Sequence, residues 1–397
     1  MRKYFYSLFV FLMFTSSFYA QTNPSFNKYE ARDMIALCNS FTQIRLFNTD
    51  QSIVPKEYDK IYTSGVYGLD NKFQIWQKQK IAVIVYRGST AMKSSWLENM
   101  YSVMIASHGQ MILPGLDTIT YRFAQSEKAR VHAGWSLGVS FLIRDIIHEI
   151  QLLNSKGIYE IVLTGHSQGG ALSQLSRAFL ENLPTGIISS KTRFRTYAFA
   201  SPMIGNEVFI NEYAQRYEMP GTSFSIFNSE DMVPKMPITV KYSEGKVFSF
   251  ANLEKALDST NNIGFKELAF QAFTKTVSKD PVGKYIKLAG NSVHKQIEDK
   301  LGPTTMPAYS RDIVFVANRN RIVIGPFEEL STQLSFGEEP DTLSAQTEKY
   351  REALASIRGG RMYQHKTYNY YLYFLKKYFV SDYVRIIDEE RYRWNRP

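Results

Sequence analysis

Two kinds of hydrophobic pattern alternate along the chain. Residues 158–164 (IYEIVLT) and 80–87 (KIAVIVYR) are short, β-branched and apolar at most positions, which predicts buried strands. The second run has no polar alternation, so it predicts a central strand covered on both faces. Residues 72–76 (KFQIW) alternate like an edge strand, and 195–200 (RTYAFA) and 224–228 (FSIFN) predict two more strands. Between these runs the spacing becomes helical: Met34, Ile35, Leu37, Cys38 and Phe41 within 27–47; Leu142, Ile146, Ile150 and Leu153 within 139–153; Leu172, Leu175, Phe179 and Leu183 within 170–183. Strands alternating with helices predict a mostly parallel sheet covered by helices on both faces, an α/β fold.

Three stretches fit this scheme less directly. Residues 100–116 are irregular, with Met100, Val103, Met104, Ile105, Met111, Ile112 and Leu113, and read either as a lid or acyl-chain surface or as a packed core helix. From 241 to 304 the pattern turns helical, and 313–324 (IVFVANRNRIVI) predicts a hairpin about Asn318-Arg319-Asn320. A polar helix is expected over 341–357, ended by Gly359-Gly360, and an aromatic one over 368–378. With no internal repeat, low-complexity tract or Pro/Ser-rich linker, residues 21–397 are expected to form one domain with an insertion at about 241–358.

Composition narrows the class. At 397 residues, 44% hydrophobic and 21% charged, the chain can bury a full core. The net charge of +10 comes without a dense Lys/Arg block or a nucleic-acid-binding signature, which argues against nucleic acid as partner. A basic surface suits an anionic lipid surface or is simply solvated. Residues 1–20 have a basic start, an apolar stretch over 4–14 and a small residue, Ala20, at the end, which predicts a signal peptide and a secreted or periplasmic protein. An uncleaved N-terminal anchor is the alternative, and no later apolar stretch is long enough to span a bilayer. Cys38 is the single cysteine, so no intramolecular disulfide can form. Oligomeric state is not set by any of these features.

The candidate chemistry centres on Thr164-Gly165-His166-Ser167-Gln168-Gly169-Gly170. A Gly-x-Ser-x-Gly match arises by chance in roughly one chain in ten of this length. Here a predicted strand precedes it and a predicted helix follows, the setting of a nucleophile elbow. A serine hydroxyl needs a general base, and the base needs a carboxylate to hold its tautomer. Asp231 lies just past the 224–228 strand, where such sheets place function; it is the candidate acid, with Glu230 as fallback and a turn or helix cap as its other reading. Of six histidines only His294 and His365 follow Asp231. His365, on a loop after the glycine pair, is the candidate base; His294, in a polar helical stretch, is the alternative and is expected to face solvent. His166 is expected to point away from its neighbour Ser167, His132 to be a buried structural hydrogen-bonder, and His108 and His148 to be surface or core residues. The oxyanion donors predicted are the backbone N–H groups of Gln168 and Ser89, to which the Ser89 hydroxyl can add a third bond.

Five segments in order carry a resemblance: Val85-Tyr86-Arg87-Gly88-Ser89-Thr90 with Trp96; Val131-His132-Ala133-Gly134; Gly165 to Gly170; Ser201-Pro202-Met203-Ile204-Gly205-Asn206; and Asn228 to Pro234 with Pro237. Over roughly 72–237 the chain is similar to the lipase class 3 family, the fungal-lipase-like branch of the α/β-hydrolases. The resemblance implies that fold, Ser167 as nucleophile, Asp231 as acid and an oxyanion donor at Ser89; His365, in His-Lys-Thr-Tyr, looks like the family's C-terminal histidine. The long interval from Asp231 to His365 departs from the family pattern. The expectation is an exported hydrolase of lipid carboxylic esters, acting at a lipid–water interface through an acyl-enzyme and needing no metal or cofactor. A phospholipase, a short-chain esterase and a non-catalytic binding protein on the same fold are the alternatives.

Overall fold

Successive residues of the 81–86 run point to opposite sides of the sheet, and the two sets belong to two different cores. Ala82, Ile84 and Tyr86 pack into one cluster, with Ile161 and Leu163 of the next strand, while Val83, Val85 and Val162 pack into the other. This is the period of two expected of a strand, with both faces covered. The structure is a computed structural model that describes residues 26–41, 53–90, 92–237, 280–325 and 363–394. The signal segment, the polar helix expected over 341–357 and much of the 241–358 insertion lie outside the described residues.

Among the described residues the main sheet has seven strands: β1 (Asp59–Thr63), β2 (Phe73–Lys78), β3 (Ile81–Tyr86), β8 (Glu160–His166), β9 (Arg193–Phe199), β10 (Ser223–Asn228) and β11 (Arg321–Gly325), in that spatial order. β1, β2 and β3 pair antiparallel, and β3 to β11 run parallel. Four short strands lie outside it: β4 (Met104–Ala106) pairs β7 (Arg130–His132), and β5 (His108–Met111) pairs β6 (Ile119–Arg122). Helices α1 (Lys28–Cys38), α2 (Lys93–Met100), α3 (Ala133–Ser155), α4 (Gln168–Leu180) and α5 (Glu207–Tyr213) are followed by helical segments at Pro281–Tyr285, Val293–Leu301, Thr367–Tyr378 and Val380–Trp394. α3 and α4 cover one face of the sheet; α1 and the Thr367–Tyr378 helix cover the other. The chain therefore has the mostly parallel, helix-covered sheet that the alternation of strands and helices predicts, in the α/β-hydrolase arrangement that the resemblance implies.

Four expectations are corrected. Residues 73–78 are not an edge strand, because the polar run 59–63 (DKIYT) pairs outside them. α3 begins at Ala133 rather than at 139, because the His132 imidazole accepts the Trp135 N–H (3.3 Å) and caps the helix early. The 100–116 stretch is packed, with Val103, Met104, Ile105 and Met111 fully buried, but as short antiparallel ribbons rather than as a helix. The 313–324 hairpin does not form: Arg321–Gly325 joins β10 in parallel, while Val316 makes a lone bridge to Gly205. The cause is the buried Glu218 carboxylate, which accepts from the Asn318 side chain (2.7 Å) and from the N–H groups of Arg319 (3.2 Å) and Asn320 (3.0 Å). The segment that would have been the hairpin's turn is thus tied to the end of the preceding helical region.

Candidate active site

β8 ends at His166 and α4 begins at Gln168, so Ser167 alone makes the turn between them. It does so at φ 61° and ψ −129°, a left-handed conformation that a residue with a side chain holds only when its surroundings impose it. The Ser167 N–H donates to the Phe199 carbonyl (2.9 Å), and the Ser167 carbonyl accepts from Gly170 (2.9 Å), which fixes the turn from both sides. Gly88 brings the loop after β3 against this elbow: a Cβ there would stand 2.8 Å from the His166 carbonyl oxygen and 3.6 Å from the Ser167 Cβ. Ser89 therefore enters the site on one side, and on the other Gln168 offers an N–H at a helix start, where such groups have no intrahelical partner.

Asp231 follows β10 and is buried, and His365 closes a short turn (Tyr363–His365) leading into the Thr367–Tyr378 helix. The ends of β8 and β10 and the start of the Thr367–Tyr378 helix thus bring together residues 64 and 134 positions apart. His365 Nδ1 donates to Asp231 Oδ2 (2.7 Å), which leaves Nε2 to accept the Ser167 hydroxyl (2.8 Å). The Asp231 carboxylate is further held by the Val233 N–H on Oδ1 (2.9 Å) and the Tyr370 hydroxyl on Oδ2 (2.6 Å). Every group facing Asp231 in these bonds is a donor, as an ionised carboxylate requires. Arranged this way, a serine proton can pass to His365 while Asp231 keeps the imidazole in the required tautomer.

The other histidines are elsewhere or differently engaged. His294 does not face solvent as expected: Nδ1 lies 3.1 Å from the Tyr101 hydroxyl, Nε2 lies 3.5 Å from Glu298, and its side chain is 20% exposed. His166 points away from Ser167 but towards His365, with ring centres 4.7 Å apart and Nδ1 3.2 Å from the Thr367 hydroxyl. Burial, and then the neighbouring His365, hold its imidazole well below the usual range. His132 is fully buried, burial holds it down to about 3, and it stacks on Trp135 with centres 3.5 Å apart. The indole N–H of Trp135 donates to Asn99 Oδ1 (3.0 Å), and Asn99 Nδ2 donates to Ser89 Oγ (2.8 Å), so His132 braces the oxyanion side of the site.

One donor expected from the sequence is already used. The Ser89 hydroxyl gives its single proton to Gln168 Oε1 (2.8 Å), so it is not free to make a third oxyanion bond in this arrangement. Sequence reasoning missed Tyr370, because a tyrosine in an aromatic helix (TYNYYLYF) is indistinguishable there from core. Burial and the Asp231 charge hold its phenol far above the usual range, so it stays protonated and donates. Tyr370→Phe is expected to lower kcat about 3- to 10-fold with KM unchanged, the effect of one hydrogen bond lost from the acid, measured on a p-nitrophenyl ester.

The family model "Lipase (class 3)" matches residues 83–241, which bears out the resemblance read in the sequence. Secreted mono- and diacylglycerol lipase A of Penicillium cyclopium is 34% identical over 24% of this chain and 29% of its own length. Secreted mono- and diacylglycerol lipase 1 of Fusarium solani is 31% identical over 20% of this chain and 21% of its own. The chain thus spans less than a third of the length of these curated relatives. Among solved structures, the Rhizomucor miehei triacylglyceride lipase aligns with 53% of this chain and 74% of its own, at 17% identity and a TM-score of 0.40.

Proposed function

We propose, from the premise that residues 83–241 are a class 3 lipase segment, that the protein is an exported serine hydrolase of lipid carboxylic esters. The observation that carries the reading is the unbroken line from Ser167 Oγ through His365 (2.8 Å) to Asp231 (2.7 Å) at a strained elbow. In this reading Ser167 Oγ attacks the ester carbonyl carbon as His365 Nε2 takes its proton. The oxygen that becomes negative is met by the N–H groups of Gln168 and Ser89. The proton on Nε2 then passes to the departing alcohol, leaving an acyl-serine. A water molecule, deprotonated by the same nitrogen, releases the fatty acid and restores Ser167.

Export rests on the signal-like segment at 1–20, together with relatives named as secreted. A lipid surface as working place fits a net charge of +10, which favours anionic interfaces. Among the described residues no helix is long and apolar enough to cross a membrane. The relatives' named substrates, mono- and diacylglycerols, are the first lipids to assay.

A fluorophosphonate probe is expected to add to the protein once, with the adduct located on Ser167 by mass spectrometry of the digested chain. Alongside it, p-nitrophenyl esters and monoacylglycerols of increasing chain length are expected to be hydrolysed with rates that rise beyond the shortest acyl groups. Failure of both labelling and hydrolysis overturns the enzymatic reading; hydrolysis confined to acetyl and butyryl esters overturns the lipid one.

A further inference from the structure

Behind the oxyanion side lies a carboxylate that the proposed reaction does not use. Glu98, on α2, is fully buried. Its space exists because α3 carries glycines opposite it: a Cβ on Gly138 would overlap the Glu98 carboxylate, and one on Gly134 would overlap the Glu98 carbonyl. Both carboxylate oxygens accept amide donors, Oε2 from Asn71 Nδ2 (2.5 Å) and Oε1 from Gln168 Nε2 (2.9 Å). Gln168 Nε2 also donates to Asn71 Oδ1 (3.2 Å), which closes a ring of three side chains.

That ring has a direction. A side-chain amide has donors at one end and an acceptor at the other, so a partner that only accepts decides which way the amide lies. With Nε2 turned to Glu98, Gln168 Oε1 faces the oxyanion loop and accepts from Ser89 Oγ (2.8 Å) and Ser95 Oγ (3.3 Å). Ser95 Oγ in turn accepts the Thr90 N–H (3.2 Å), so two residues of the loop after β3 hang from one amide oxygen. We propose that Glu98 is a positioning residue for the oxyanion hole: through the Gln168 side chain it fixes the hydrogen-bond direction of Ser89 and the path of the loop that carries the Ser89 N–H. This deepens the ester-hydrolase reading and rests on it.

The electrostatic surroundings work against the acceptor-only form on which the ring's direction depends, so that form prevails only above the raised pKa of this carboxyl. Burial pushes the Glu98 carboxyl up to about 8; the Asn71 and Gln168 bonds pull it down, and Asp70 pushes it further up. Asp70 is paired with Arg87 at the end of β3 (2.9 Å), and His132 at the start of α3 is neutral, so among the described residues no cation sits on Glu98 itself. Only its two amide partners make the charged form fit. Were Glu98 replaced by glutamine, one amide N–H₂ group would face another, and either Gln168 or Asn71 would have to turn over. Turning Gln168 over points a donor at Ser89 in place of an acceptor and releases the loop.

The test is a double-mutant cycle on ester hydrolysis by the full-length protein, with Glu98→Gln, Gln168→Met and the pair. Gln168→Met keeps the backbone N–H and removes only the side-chain amide. Each single substitution is expected to lower kcat about 10-fold with KM changed less than twofold, and the pair to lower it no further than one alone, since both cut the same relay. Thermal unfolding of each variant separates a lost fold from a misplaced loop. If Glu98→Gln does not fold, the same cycle between Gln168→Met and Ser89→Ala reads the outer half of the relay. Multiplying effects in either cycle, or losses that fall on KM instead of kcat, overturn the inference while leaving the ester-hydrolase reading intact. An unmutated protein that hydrolyses no ester and takes no fluorophosphonate overturns both.

Discussion

His365→Ala is expected to lower kcat for ester hydrolysis by about 10⁴-fold or more, and Ser167→Ala by a similar factor, whereas His294→Ala stays within about threefold of the unmutated protein. The first effect follows from the division of labour at the elbow. Serine is a weak nucleophile until a base takes its proton, and His365 Nε2, at 2.8 Å, is the imidazole nitrogen placed to do so. His166 cannot take over, because it is buried and held well below the usual imidazole range, and its Nδ1 is directed at Thr367. His294 lies against Tyr101, on the side of the molecule where α2 ends, and its loss removes a hydrogen bond to a phenol and a weak contact to Glu298. Because the proposed reaction makes Ser167 and His365 one unit, the double substitution is expected to be no slower than the worse single one. The measurement is steady-state hydrolysis of a p-nitrophenyl ester, with fluorophosphonate labelling as a second readout. Activity that survives His365→Ala and disappears with His294→Ala reverses the assignment of the base.

How much of this was legible before folding differs from residue to residue. Ser167 announced itself, because the elbow needs glycines at fixed positions and leaves them in the sequence as a local motif. Asp231 and His365 were chosen by chain order and by their places beside predicted elements, which is weaker information, and the fold brings His365 within hydrogen-bond distance of both Asp231 and Ser167. Tyr370 was out of reach: what distinguishes it from Tyr373 or Phe374 is a contact to Asp231, 139 positions away in the chain. Glu98 was hidden for the opposite reason. A glutamate on a short helix reads as solvated, and only the glycines of α3, which give it a place beneath the site, turn it inward.

The fold's misreadings have a common origin in polar groups that outweigh local pattern. The polar run 59–63 carries no buried apolar face to mark it as a strand, yet backbone pairing with β2 makes it the sheet's edge. The stretch 313–324 reads as a hairpin, yet three bonds to the buried Glu218 carry its middle away from the return path. Neither contact has a local sequence signature. In contrast, strands covered on both faces, such as β3, were legible because their burial depends on composition alone.

The same logic predicts where the elbow tolerates least. Gly165→Ala is expected to destabilise the protein by about 3 kcal/mol or more and to abolish ester hydrolysis at temperatures where the unmutated protein is folded. A Cβ on Gly165 would overlap the backbone of Gly169, the second residue of α4, and a Cβ on Gly169 would in turn overlap the Tyr86 carbonyl. The contact is backbone against backbone, so no side chain can rotate away to relieve it. Gly165 sits in β8 between β3 and β9, paired with Tyr86 and Ala198, so the strand cannot retreat without losing its ladder on both sides. The alternative is for α4 to lift, which moves the Gln168 N–H from the oxyanion position and strips Leu172 and Leu175 from the core. Gly65→Ala supplies the control: a Cβ there meets the Tyr67 ring at 3.6 Å, an ordinary contact, and stability is expected to stay within about 0.5 kcal/mol. Urea midpoints for the three proteins decide the matter. A Gly165→Ala midpoint as close to the unmutated value as that of Gly65→Ala means that strand and helix are not in the contact described. The positive φ of Ser167 would then need another cause than the tight junction of β8 with α4.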